Sequence, residues 1–122
     1  MKSDKIIEIA LNALNEKKAK NLNAIHVGEL TVIAEYFIIA TATSQHHIKA
    51  LAEEVEEKLE EAGFVADHTE GRATGWVILQ YMGVLIHIFS AEAREYYNLD
   101  RMWADGDKLD IDSILNAPAE VD

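Results

Sequence analysis

The chain has 122 residues, 49% of them hydrophobic, which suits one compact domain with a substantial core. It carries 11 basic against 22 acidic residues, a formal net charge of −11, and no Lys/Arg cluster, which argues against direct binding to nucleic acid or to an anionic membrane. With no cysteine there is no disulfide framework, no thiolate metal site and no cysteine nucleophile.

The start, MKSDKIIEIA, mixes acids and bases without an arginine and does not read as a secretory signal or transit peptide. No apolar run is long enough to span a bilayer, so the expected compartment is the cytoplasm. Residues 3–18 predict an amphipathic helix, with Ile6, Ile7, Ala10, Leu11 and Leu14 at helical spacing and Ser3 or Asp4 as its cap. A short strand is expected over Ala24–Val27, ended by Gly28, then a brief turn of helix over Thr31–Ala34. Tyr36–Thr41 (YFIIAT) is apolar almost throughout. A strand without alternation is covered on both faces, which places it centrally in a sheet.

Thr43 or Ser44 caps the clearest helix, whose stripe is Ile48, Leu51, Ala52, Val55, Leu59 and Ala62. The opposite face carries Glu53, Glu54, Glu57, Lys58, Glu60 and Glu61, a solvated face, and Gly63 is a natural C-terminal cap. A further strand is expected over Val65–Glu70. Two apolar runs, Trp76–Tyr81 and Val84–Phe89, then flank Met82-Gly83 as a hairpin, although methionine suits the first turn position poorly. A helix starts at Ser90. Beyond Trp103 the chain turns acidic and reads as a C-terminal extension, residues 106–122, in which Leu109, Ile111, Ile114 and Leu115 can dock a last turn of helix. This order of elements predicts an α/β fold: a single domain with a mixed β-sheet of about five strands and helices packed on it.

Residues 76–103 hold both tryptophans, three of the four tyrosines and one of the three phenylalanines. Such a concentration beside a hairpin suggests a contact surface, because Trp, Tyr, Met and Arg supply much of the energy of interfaces. Filling the core is the competing explanation. Opposite potentials steer association, so the acidic balance favours a basic protein partner.

Catalytic patterns are sparse. The Thr41–Ser44 turn runs from a central strand into a helix N-terminus and could face an anion, but it has no glycine and no P-loop lysine. His46 and His47 are neighbours on a helix and do not share a face. His26, His68 and His87 could meet across a sheet, without any zinc-type spacing. Asp105, Asp107, Asp110 and Asp112 alternate in the extension but complete no calcium loop. No Ser-His-Asp order can be assembled, so no catalytic residue, metal or cofactor is expected.

Taken together, AEYFIIATATSQHHIKALAEEVEEKLEEAG, EG before Trp76, WVILQYMGVLIHIF and AEAREYYNLDRMW resemble the ribosomal silencing factor family, also called Iojap-like proteins. The resemblance covers about residues 3 to 105, so residues 1–105 are taken as the family domain. It implies a nucleotidyltransferase-like topology without the catalytic acids. It also implies a non-enzymatic translational repressor that binds the large ribosomal subunit through its universal protein fourteen, blocks small-subunit joining and forms a homodimer in isolation. Trp76, Tyr81, His87, Arg94, Tyr96, Tyr97, Leu99 and Trp103 fall on family motif positions, as do Tyr36, Thr43, Ser44 and His47. Of these, Trp76, Tyr81, Arg94, Tyr97 and Trp103 are the expected contributors to the partner or dimer surface, while packing is the expected role of Tyr36 and His47. Three positions depart from the pattern: Ala42 stands for the usual glycine, His46 for the usual arginine, and Gln80-Tyr81-Met82-Gly83 for the usual Asp-Tyr-Gly-Asp. Two other functions stay open on the residues alone: a nucleotidyltransferase-type enzyme using the Thr41–Ser44 turn for phosphate, and a dimeric adaptor for some other basic protein.

Overall fold

The structure, a computed structural model, describes residues 2–71 and 75–115. The elements run α1 (Lys2–Glu16), β1 (Lys20–His26), β2 (Tyr36–Ala42), α2 (Gln45–Glu61), β3 (His68–Glu70), β4 (Trp76–Tyr81), β5 (Val84–Ser90), α3 (Ala91–Tyr97), α4 (Leu99–Met102), β6 (Asp107–Lys108) and α5 (Ile111–Leu115). The strands form one mixed sheet in the order β3-β4-β5-β2-β1-β6. The two most continuously apolar runs, β2 and β5, pair in parallel at its middle, with Tyr36 opposite Val84 and Ala42 opposite Ser90; the other pairings are antiparallel. Central placement follows from composition, since only strands apolar on both sides can be covered on both.

Alternation divides the side chains between two cores. Ile38, Ala40, Ala42, Val77, Leu79, Tyr81, Val84, Ile86 and Ile88 face α1 and α2, meeting Ile6, Leu11, Leu14, Leu51, Val55 and Leu59. Phe37, Ile39 and Phe89 face the other way, with Ile25, Val27, Ala34 and Leu99. Fully burying one such aliphatic side chain contributes about 1.5–3 kcal/mol, so the larger core under the two long helices dominates stability.

Local chemistry sets the element ends. Ser44 is the cap of α2, its Oγ accepting from the His47 N–H at 3.0 Å. Gly63 lies at φ 92°, and Gly63 N–H donates to Glu60 O while Phe64 N–H donates to Leu59 O, the paired bonds of a Schellman ending. Crossover helix α2 returns the chain to β3 at the far edge of the sheet, two strands beyond β2's parallel partner.

Two expectations need correction. Thr31–Ala34 forms no helix; it belongs to a loop whose start is closed by Leu30 and Thr31 N–H groups donating to Val27 O. The strand expected from Val65 pairs only over His68–Glu70, with the Asp67 N–H bonded to Gln80 O just before it. Val65 is left 76% exposed, because the Schellman turn directs the chain away before it reaches the β4 edge. The mixed sheet expected with about five strands is present with six, the sixth being Asp107–Lys108, which pairs with Ile25 and His26 of β1. Gly106 allows that approach: a Cβ there would sit 2.4 Å from Ile25 Cγ2 and 2.8 Å from His26 O. The segment read as an extension is thus tied to the sheet as far as α5, and Leu109, Ile111, Ile114 and Leu115 pack against the main core. Residues 116–122 of that segment lie outside the described residues.

Met82 and Gly83 both take positive φ, 43° and 85°, as a type I′ two-residue loop requires. Methionine is strained in the left-handed region, whereas asparagine tolerates it. Met82→Asn is expected to stabilise the protein by about 0.5–1 kcal/mol, read as a higher urea midpoint at unchanged slope.

Candidate partner-binding face

The sheet face away from α1 and α2 is covered unevenly. Short helix α3 lies over β5 and β2 and α4 reaches β1, while partly exposed side chains remain towards β3: Trp76, Ile78 and Gln80 on β4, and Leu85 on β5. Alternation puts Trp76, Ile78 and Gln80 together, because their neighbours Val77, Leu79 and Tyr81 point into the main core. Tyr97, 45% exposed, closes on Trp76 with ring centroids 4.5 Å apart, and Tyr96, 81% exposed, stands edge-on to Tyr97 at 5.0 Å. Trp103 packs edge-on against Phe37 at 5.1 Å and is half-buried. Trp76, Tyr97 and Trp103 therefore lie around one face.

Two other expected surface residues sit elsewhere or are otherwise engaged. Tyr81 is only 2% exposed and belongs to the main core, because its position on β4 is one of the inward alternates. Arg94 is spent inside the chain: Nε and Nη2 donate to Asp100 Oδ2 and Oδ1 at 3.1 and 2.8 Å, and Nη1 donates to Thr41 Oγ1 at 2.9 Å and to the Asn21 carbonyl. Burial raises the Asp100 pKa, but hydrogen bonds from Arg94 and Asn23 and the Arg94 charge outweigh it, holding the carboxyl below its ordinary range. Ile78 and Leu85 join the face without having stood out in the sequence; the signal was their parity with Trp76 along the hairpin.

Beneath the face lies His87, 4% exposed, with Phe37, Trp76 and Phe89 rings at 4.8, 5.9 and 6.0 Å. The indole N–H of Trp76 donates to its Nδ1 at 3.1 Å, so the imidazole proton belongs on Nε2. That Nε2–H is buried and meets no acceptor among the described residues. Burial alone lowers the His87 pKa from 6.5 to about 4. The ring is accordingly neutral at physiological pH and orients Trp76.

The remaining chemical candidates resolve into structural roles. His47 accepts from the Thr43 N–H at 2.9 Å through Nδ1 and bonds the Lys17 carbonyl at 2.7 Å through Nε2, tying the start of α2 to the end of α1. The Thr41–Ser44 turn borders a cleft of about 560 Å³ whose charged lining, Lys20 and Glu92, cancels. His26 pairs with Glu35 at 3.1 Å and His68 with Glu70 at 2.7 Å, on different strands. Among the described residues no group of three His, Asp or Glu side chains could hold a metal ion. Nor is any helix among them long and apolar enough to cross a membrane.

The described residues thus form an α/β domain with a half-open aromatic face on one side of its sheet. Comparison with known proteins gives it a family. The family model described as ribosomal silencing factor during starvation matches residues 1–122, and the chain belongs to that family. It is 30% identical over 117 residues to the ribosomal silencing factor of Bacillus subtilis, covering 95% of this chain and 99% of that one. It is 25% identical over 99 residues to the chloroplastic Iojap protein of Zea mays, covering 81% of this chain and 43% of that one. A crystal structure of a Chromobacterium violaceum protein superposes with a TM-score of 0.81 at 31% identity, covering 85% of this chain and 88% of that one. The family is one of ribosome-directed regulatory factors, and the protein is such a factor rather than an enzyme.

The buried imidazole makes a signed prediction. Above pH 6.5 His87 is neutral whether the chain is folded or unfolded, and titration contributes nothing. As pH falls from 6.5 to about 4, the unfolded chain takes up a proton that the folded one refuses. Stability should therefore drop by about 3 kcal/mol across that window. Urea denaturation at pH 7 and pH 4.5 measures the drop, and His87→Gln should remove that share of it.

Proposed function

We propose that this protein docks on the large ribosomal subunit through that subunit's universal protein fourteen and keeps the small subunit off by occupying the joining surface. The observation that supports the reading most is the half-open sheet face carrying Trp76, Ile78, Leu85 and Tyr97 on a chain of net charge −11. Aromatic and aliphatic side chains on rigid strands supply contact energy at little entropic cost. The acidic remainder is repelled by bare RNA and attracted to a basic protein set within it. Blocking is then steric, and the absence of a catalytic constellation among the described residues is no obstacle.

On this reading the protein works in the cytoplasm, and in the absence of ribosomes it pairs as a homodimer. Gln80 and Gly83 stand where the resemblance has two acids at the hairpin, so the charged part of the contact rests on other carboxylates around the face, such as Glu70 opposite Ile78. Attraction between opposite charges is screened by salt, so docking should weaken as ionic strength rises.

Co-sedimentation with purified large subunits, followed by addition of small subunits, tests the proposal. Bound protein and fewer joined ribosomes are expected. Tyr97→Ala and Ile78→Arg should each weaken binding about tenfold or more while leaving thermal unfolding within a few degrees of the parent. Unchanged binding by both variants sinks the surface assignment. No binding at micromolar protein sinks the proposal and favours an adaptor for another basic protein.

A further inference from the structure

We propose that Arg94 is the positioning residue of the docking face: its guanidinium, clamped by Asp100, holds α3 and α4 on the sheet and so sets Tyr97 against Trp76 and Trp103 against Phe37. The inference rests on the docking reading above and adds to it how the surface is assembled.

Few buried side chains hold these helices. Helix α3 has seven residues and none of them is buried; α4 has four, of which only Leu99 is. Helices this short do not persist in water by themselves, so their placement depends on tertiary anchors. Ser90 caps α3 by accepting from the Ala93 N–H at 3.1 Å, which orders its first turn. Asn98, left-handed at φ 47°, ends α3 by donating its N–H to the Arg94 carbonyl and starts α4 in the same step. These bonds are local and give the helices shape without fixing where they sit.

One side chain joins both helices to the strands. Arg94 projects from α3, grips both oxygens of Asp100 on α4, and reaches Thr41 on β2 and the Asn21 carbonyl on β1. Asp100 Oδ1 accepts in addition from Asn23 Nδ2 on β1 at 3.0 Å. Four elements thus meet at one planar cation. Strand β1 is shaped for the contact: its pairing with β2 shifts register between Lys20 and Asn23, and Asn21 stands at φ 49° within that bulge. The Arg94 side chain is 15% exposed. A planar fork of five N–H donors can serve all these acceptors at once, whereas the single ammonium of lysine cannot.

The test compares Arg94→Ala, Arg94→Lys and Asp100→Asn in the full chain by amide hydrogen exchange, thermal unfolding and large-subunit co-sedimentation. Arg94→Ala should cut protection of the α3–α4 amides at least tenfold while leaving β2 and β5 amides unchanged, and should weaken binding at least tenfold. Arg94→Lys should recover part of both, since it keeps the charge opposite Asp100 but loses the fork. Asp100→Asn should act in the same direction and keeps the idea testable should Arg94→Ala fail to fold. Protection lost equally across the sheet would overturn the positioning role in favour of a general structural one. Unchanged α3–α4 protection would overturn the latch itself. Lost α3–α4 protection with unchanged binding would overturn the claim that the latch serves docking, whereas failure of the parent protein to bind at all would count against the docking reading.

Discussion

Everything in this molecule is arranged around the parallel pairing of β2 with β5. Seven consecutive register pairs, Tyr36–Val84 to Ala42–Ser90, join two strands that are apolar on both faces. Water must be kept from both sides of such a pair, so the fold needs cover above and below. Helices α1 and α2 give one side thorough cover. The other side receives a seven-residue helix, a four-residue helix and a ring of aromatics. That inequality is the structural origin of the candidate binding face: the strands towards the β3 edge keep apolar side chains that nothing among the described residues fully covers.

Polar groups near that face are used to hold geometry. His87 takes the hydrogen bond of Trp76, Arg94 and Asp100 take each other, and Ser90 and Asn98 shape the short helices. The Trp76–His87 bond is sheltered by the Phe37 and Phe89 rings, where hydrogen bonds are stronger and leaving one unmade costs more. The Thr41–Ser44 turn is tied up in the same way. Its helix N-terminus is spent on Ser44 and His47, and the latter's second nitrogen is committed to α1.

Much of the architecture was legible in residue order. The unbroken run YFIIAT announced a central strand, the Ile48-to-Leu59 stripe announced α2, and Ser44 and Gly63 marked its two ends. Where local signals misled, a tertiary partner was missing or present unseen. Thr31–Ala34 carries three β-branched residues, which suit a helix poorly, and of the four only Ala34 is buried. Val65 suits a strand but follows a Schellman turn that carries it past the sheet edge. Asp107–Lys108 looks like acidic tail, yet Gly106 lets it approach β1 closely enough to pair.

The partner surface divides along the same line. Sequence by itself determined the clustering of Trp76, Tyr97 and Trp103 near a hairpin, the acidic balance and the lack of catalytic spacing, because these are properties of composition and of neighbours along the chain. It could not say that Tyr81 turns inward, that Arg94 is consumed by Asp100, Thr41 and Asn21, or that Ile78 and Leu85 share the face with Trp76. Which side of a strand faces solvent depends on what packs over it, and Arg94 meets its partners across 73 and 53 residues of chain. Only the assembled sheet, with two long helices on one side and two short ones on the other, decided which aromatic residues became core and which remained available to a partner.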